Sequence, residues 1–172
     1  TKIILTILLY ITLIFNSSFI MKFDINADDL QILAPASVLI DADTGVILFE
    51  NNKDEKKFPA STTKIMTALL TLERCKDLNA KIKMSHEAVY GLEPGSSHIA
   101  MNEGESLTVE QALYGLLVSS ANEVANALSE HVSKNKSDFC KLMNQRAKQL
   151  GCKNTNFINP HGFHYEEHYT TA

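Results

Sequence analysis

The residues best placed to do chemistry are Ser61 and Lys64, in the run Pro59-Ala60-Ser61-Thr62-Thr63-Lys64. On a helix, residues three apart share a face one turn apart, so the Lys64 amine can reach the Ser61 hydroxyl. Serine is a weak nucleophile until a neighbouring base takes its proton, and a neutral lysine can be that base. The plainer alternative is a Ser61 that caps the helix beside a solvated Lys64, because a lone Ser-x-x-Lys is common near helix starts. A second pair sharpens the choice. Ser120 and Asn122 stand in Leu116-Leu117-Val118-Ser119-Ser120-Ala121-Asn122-Glu123, at a joint between two apolar helices. Either Ser120 caps the second helix and Asn122 fills its first turn, or both face a cleft. In the cleft, Ser120 could pass a proton and Asn122 could bond a substrate amide.

Several elements must position these groups. Pro59 and Ser61 suit the entry to a helix, and Ile65, Met66, Leu69 and Leu70 recur at the spacing of an apolar face. Thr108 and Gln111 form a capping box, opening a helix with Leu113, Leu116 and Leu117 on its apolar side and an end near Ser119. A further helix starts near Asn122, with Val124, Ala127, Leu128 and Val132 on one face. A last helix is expected from Ser137, as N-cap, to a stop at Gly151. Upstream, Ser37 to Glu50 reads as a hairpin turning at Asp43-Thr44-Gly45, and Asn51 to Lys57 as a charged surface loop. Asn79 to Glu103 is broken and polar, so loop or short helix is expected, with His86 and His98 at the surface or hydrogen-bonded. Asn159-Pro160-His161-Gly162 is a turn signal.

Composition sets outer limits. The 172 residues suffice for one domain, and 45% hydrophobic with 21% charged residues is ordinary for a globular chain. A net charge of -4 gives no reason to expect a nucleic-acid partner. The three cysteines, Cys75, Cys140 and Cys152, are odd in number and lack metal-ligand spacing, so buried or free thiols are expected. Thr1 to Ile20 is different material. Lys2 precedes an apolar run from Ile3 to Phe15, short for a membrane span and matched to a secretory h-region. A buried helix or strand is one alternative, and a retained anchor extended by Phe19-Ile20-Met21 is another. The opening threonine suggests a clipped front to the export segment.

Taken together, Ser61-x-x-Lys64 and Ser120-Ala121-Asn122 resemble the first two of three motifs of penicillin-recognising serine enzymes. Gly95-Ser96-Ser97, Leu116 to Glu123, Asn159-Pro160-His161-Gly162 and His168-Tyr169-Thr170-Thr171-Ala172 look like the serine-type D-alanyl-D-alanine carboxypeptidases, the low-molecular-mass penicillin-binding proteins. The hairpin and Phe58 to Lys64 fit the same family, and the likeness runs from Ala34 to Ala172. It implies an α/β (α+β) fold, an antiparallel sheet packed by helices, of which this chain holds the N-terminal part. Residues 1–27 would be the export segment and joint, and 28–172 an incomplete catalytic domain.

The resemblance assigns Ser61 as nucleophile, Lys64 as base for acylation, Ser120 as proton relay and Asn122 as the group that orients the substrate amide. It implies a peptidoglycan stem peptide ending in D-Ala-D-Ala as substrate, β-lactams as acylating mimics, and no cofactor. The setting would be the outer face of the cell membrane or the cell wall, with a membrane surface as a possible neighbour. The family's third motif, Lys-Thr-Gly, does not occur after Ser120. Bringing a lysine from about 10.4 to near 7 takes roughly 4–5 kcal/mol, part of it from a helix N-terminus and a second cation. Without that strand Lys64 is expected to stay protonated, the hairpin to lack sheet partners, and the chain to be an inactive fragment. Two other readings remain: a serine β-lactamase, although Ala121 and the lack of a Glu-x-x-Leu-Asn pattern depart from it, or a non-catalytic, membrane-tethered wall-binding protein.

Overall fold

The computed structural model describes residues 32–172, and the expected export segment lies outside them. The hairpin forms as read. Strand β1 (Ser37–Ile40) pairs antiparallel with β2 (Ile47–Asn51), Leu39 opposite Phe49, with an irregularity after Leu39. Its turn is closed by the Asp41 carboxylate, which accepts from the Thr44 backbone N–H at 2.8 Å and from the Thr44 hydroxyl at 2.6 Å. Gly45 follows at φ +72°, a conformation costly for a residue with a Cβ. Leu39, Ile40, Val46, Ile47 and Leu48 are each about half exposed, so both faces of the ribbon lie open.

A 3-10 turn, Ala60–Thr62, leads into helix α1 (Thr63–Arg74). Its buried face differs from the apolar stripe expected. Thr63, Lys64, Thr67, Ala68, Leu70 and Thr71 point inward, while Ile65 is 66% exposed. The reason is that the polar side chains find partners inside. Thr67 donates to the Pro160 carbonyl at 2.6 Å, and Thr63 bonds the His168 ring at 2.8 Å. Buried hydroxyls with partners are tolerated where lone ones are not.

Within Asn79 to Glu103, where loop or short helix was expected, a short helix α2 (His86–Tyr90) forms, and strand β3 (Lys81–Lys83), which was not expected, pairs antiparallel with β4 (Ser106–Thr108) just beyond, Ile82 facing Leu107. A strand of three residues, Lys-Ile-Lys, is too short to show a period. Helix α3 (Val109–Val118) opens with the expected capping box: Thr108 Oγ1 accepts from Gln111 N at 3.0 Å and Gln111 Oε1 from Thr108 N at 2.9 Å. Helix α4 (Asn122–Ser133) is the hub, with every residue from Asn122 to Ser129 buried. Val124, Ala125, Ala127 and Leu128 meet Ala68, Ile82, Met84, Ala88, Val109 and Leu116 in the main core.

Helix α5 (Lys136–Gln149) is capped by Asn135, whose side chain accepts from Asp138 N at 2.8 Å; the expected cap at Ser137 is corrected. Lys134 takes φ +70° and ends α4, which frees Asn135 to cap the next helix. Phe139, Met143 and Ala147 of α5 form a second core with Leu70 and Phe157. Gly151, at φ +87°, follows the helix as expected, and all three cysteines are free. Near the end of the chain, Thr170 bridges Lys57, just ahead of α1. The mixed α/β character with small antiparallel sheets is the expected class.

Candidate active site

Two chain segments meet at the Ser61 hydroxyl. Ser61 sits in the tight turn before α1, preceded by Ala60 at φ +49°. Lys64, one turn on, directs Nζ to Ser61 Oγ at 3.2 Å. From the α3–α4 joint, the Ser120 hydroxyl donates to the same Oγ at 2.9 Å. The neighbouring cleft, about 360 Å³, is lined by Ser61, Lys64, Ser120 and the apolar side chains of Ile65, Leu116 and Leu117. Neither serine caps a helix, since Ser61 makes no cap hydrogen bond and α4 is capped at Ala121 without a side-chain bond, but Asn122 does fill the first turn of α4 as the capping alternative had it.

Ser120 itself is held in an unusual way. At φ +56° it occupies the left-handed region, where a non-glycine residue is uncommon. Its neighbours fix it there. Ala121 N donates to Gly115 O at 3.1 Å, and Asn122 N donates to Ser97 O at 2.8 Å. Glu123 Oε1 accepts from Ile99 N at 2.7 Å, tying the Ser97–Ile99 strap to the same helix start. Backbone strain of this kind persists only where the surroundings over-determine it.

Lys64 is 2% exposed. Its second bond runs to the His161 carbonyl, at 2.8 Å, and no carboxylate pairs with it among the described residues. Burial lowers its pKa to about 8 from the ordinary 10.5, because a low-dielectric site disfavours the charged form. A helix N-terminus and a second cation were expected to supply part of that lowering, and the lysine to stay protonated without the third-motif strand. Burial is the cause seen here, and a pKa of about 8 still leaves most of Lys64 protonated at pH 7.

Asn122 lies not on the connection but in the first turn of α4, 6% exposed, and its Oδ1 accepts no hydrogen bond from the described residues. A buried amide oxygen without a partner is uncommon and suits a group that meets a substrate N–H. The structure thus brings Ser61, Lys64 and Ser120 into direct contact and sets Asn122 two residues beyond Ser120.

Sequence reasoning missed the wall behind the lysine. The Asn159–Gly162 turn presents two carbonyls, Pro160 to Thr67 and His161 to Lys64. Asn159 Oδ1 accepts from Gly162 N at 2.6 Å and shapes the turn. Gly162, at φ +92°, packs so closely that an added Cβ would overlap the Ala60 carbonyl oxygen. The signal was present as a turn motif, but nothing in the sequence said which helix the turn would touch. His86 pairs with Glu103 at 2.9 Å on the surface, and His98 accepts from Ala100 N, as their expected surface or hydrogen-bonded roles required.

With that geometry in place, likeness to known proteins is informative. The family described as Peptidase_S11, D-alanyl-D-alanine carboxypeptidase, matches residues 23–172. D-alanyl-D-alanine carboxypeptidase DacF of Bacillus subtilis is 42% identical over 142 residues, covering 81% of this chain and 36% of its own length. DacA of Haemophilus influenzae is 34% identical over 171 residues, with 92% and 44% covered. The chain therefore spans less than half the length of these curated relatives. Among solved structures, the carboxypeptidase DacD from Francisella tularensis superposes with a TM-score of 0.77 at 36% identity, over 83% of this chain and 35% of that one. Penicillin binding protein 5 from Haemophilus influenzae gives a TM-score of 0.77 at 34% identity, over 83% and 43%.

Proposed function

This chain belongs to the D-alanyl-D-alanine carboxypeptidase family, and from that premise we propose that the protein removes the terminal D-alanine from peptidoglycan stem peptides through an acyl-enzyme on Ser61. The observation that carries the reading is the meeting of Lys64 Nζ and Ser120 Oγ on the Ser61 hydroxyl. Neutral Lys64 takes the Ser61 proton as Oγ attacks the carbonyl carbon of the penultimate D-alanine. The Ser61 N–H, at the helix start, is one donor for the oxyanion. The C–N bond then breaks, and the proton moves from Lys64 through Ser120 to the leaving amine. In the second half, water adds to the ester, gives its proton to Lys64, and the proton returns to Ser61 Oγ as the acid departs. Asn122 orients the amide of the acyl group.

β-Lactams would acylate the same serine, with the leaving nitrogen kept tethered by the opened ring. The Lys-Thr-Gly implied by the family resemblance does not occur in these residues, so the turnover is proposed for the whole protein. Export to the outer face of the cell membrane or wall, led by the Thr1–Ile20 segment, belongs to the same proposal, as does contact with the membrane surface.

The test is the intact mass of the whole protein before and after benzylpenicillin, with Ser61→Ala beside it, and D-alanine release from a peptide ending in D-Ala-D-Ala. A lasting adduct on the wild type alone, with D-alanine released, supports the proposal. An adduct that Ser61→Ala still forms overturns it. Rapid nitrocefin turnover would instead make the protein a β-lactamase.

A further inference from the structure

Glu93 lies outside the Ser61–Lys64–Ser120 cluster, on the connection after α2, and its surroundings are unusual for a carboxylate. Its side chain is only 24% exposed. Oε1 accepts from the Tyr165 hydroxyl at 3.3 Å. Oε2 is enclosed, accepts no hydrogen bond from the described residues, and stands 3.8 Å from Nε2 of His161. A small cavity of about 210 Å³ adjoins the pair, lined in part by Lys136 and Pro160.

The His161 ring has one consistent proton arrangement. It is buried, and Phe163 N–H donates to its Nδ1 at 3.2 Å. Nδ1 must then be the bare acceptor nitrogen, which leaves the hydrogen of the neutral ring on Nε2, the side that Glu93 faces. The ring is kept neutral by burial first and by the nearby Lys64 charge second, which hold its pKa down to about 3. The other charged or titratable neighbours are engaged elsewhere: Lys136 donates to Glu87 at 2.8 Å, and His168 bonds Thr63 at 2.8 Å. Glu93 is the carboxylate left to face the ring. At 3.8 Å the interaction is not a direct hydrogen bond but electrostatic, or carried through one water.

The backbone of that same residue meets the lysine. The His161 carbonyl accepts one Lys64 N–H at 2.8 Å, and a neutral amine so held can turn its lone pair toward Ser61 Oγ, 3.2 Å away. The opposite tautomer would set an Nδ1–H against the Phe163 N–H, two donors facing each other. The turn would have to move, and the carbonyl with it.

We propose that Glu93 is a positioning residue for Lys64: it holds His161 as the Nε2–H tautomer, which fixes the Pro160–Phe163 turn and the carbonyl that aims the amine. The proposal rests on Lys64 being the base for acylation. Two readouts on the whole protein separate them: the rate of acylation by a fluorescent penicillin between pH 6 and 9, and the His161 ring nitrogen shifts by 15N NMR. The variants are Glu93→Leu, which removes the acceptor, and Glu93→Gln, which keeps a neutral one.

Glu93→Leu is expected to slow acylation about tenfold or more at every pH, with a second His161 tautomer visible. Glu93→Gln should recover most of the lost rate. An unchanged rate and a single tautomer in Glu93→Leu overturn the proposal, and so does a wild type whose His161 carries its proton on Nδ1, even if Glu93→Leu fails to fold. Should Lys64→Ala acylate as fast as the wild type, the base reading fails alone, and the nitrogen shifts still decide whether Glu93 sets the tautomer.

Discussion

At the scale of single residues, Lys64 gathers the contradiction on which the proposed acylation depends. It must be buried to lose its proton near neutral pH, yet a buried ammonium with no carboxylate partner destabilises the fold. With a folded pKa lowered to about 8, the free-base fraction rises about tenfold per unit below that value and levels above it. Acylation by a penicillin should therefore climb from pH 6 to about 8 and then flatten, measured by stopped-flow fluorescence on the whole protein. The linkage has a definite sign. Between about 8 and 10.5 the unfolded chain holds the proton that the folded chain has released, so the contribution of this group to stability improves as pH rises through that window. Gly162 is the other residue-scale constraint. Gly162→Ala combines positive φ with a collision against the Ala60 carbonyl, and is expected to lose on the order of 3 kcal/mol of stability by urea unfolding. The proposed acylation should fall with it, because Ala60 leads directly into Ser61, the proposed nucleophile.

At the scale of elements, the site depends on where helices begin. Ser61 precedes α1, and Asn122 opens α4, whose cap at Ala121 uses no side chain. The hydroxyl of Ser120 is thereby left for Ser61 instead of the backbone. The opposite case is α5, where a polar side chain does cap. Asn135→Ala should lower stability by about 1 kcal/mol, while Ser137→Ala should stay within about 0.5 kcal/mol, both by thermal or urea unfolding. Equal effects at the two positions would show that the Asn135 bond contributes nothing. The contrast explains part of the misreading: Asn135 and Ser137 are both good caps in isolation, and the left-handed Lys134 decides between them.

At the scale of the whole molecule, the helices are well enclosed and the β1–β2 ribbon is not. Residues Leu39, Ile40, Val46, Ile47 and Leu48 leave apolar surface on both of its faces, and two strands alone are marginal in water. The chain spans 36–44% of the curated relatives' length, and in a protein of that length the ribbon is expected to gain cover. Leu48→Lys should then change the stability of the present 172 residues by less than about 0.5 kcal/mol, but cost the longer protein about 2 kcal/mol. Similar effects in both would show that the ribbon stays bare.

The sequence by itself determined that Ser61 and Lys64 meet, because they are three residues apart and local helix geometry is enough to join them. It determined the Thr108–Gln111 cap and the Gly45 turn for the same reason: each is settled within a few residues. What it could not contain were distances across the chain. Ser120 reaches Ser61 over 59 positions, and the His161 carbonyl reaches Lys64 over 97. Only the packing of α1 against α4 and of the Asn159–Gly162 turn against Ala60 decided these. The same packing buried Lys64 and lowered its pKa, a property of its surroundings that no spacing of residues encodes.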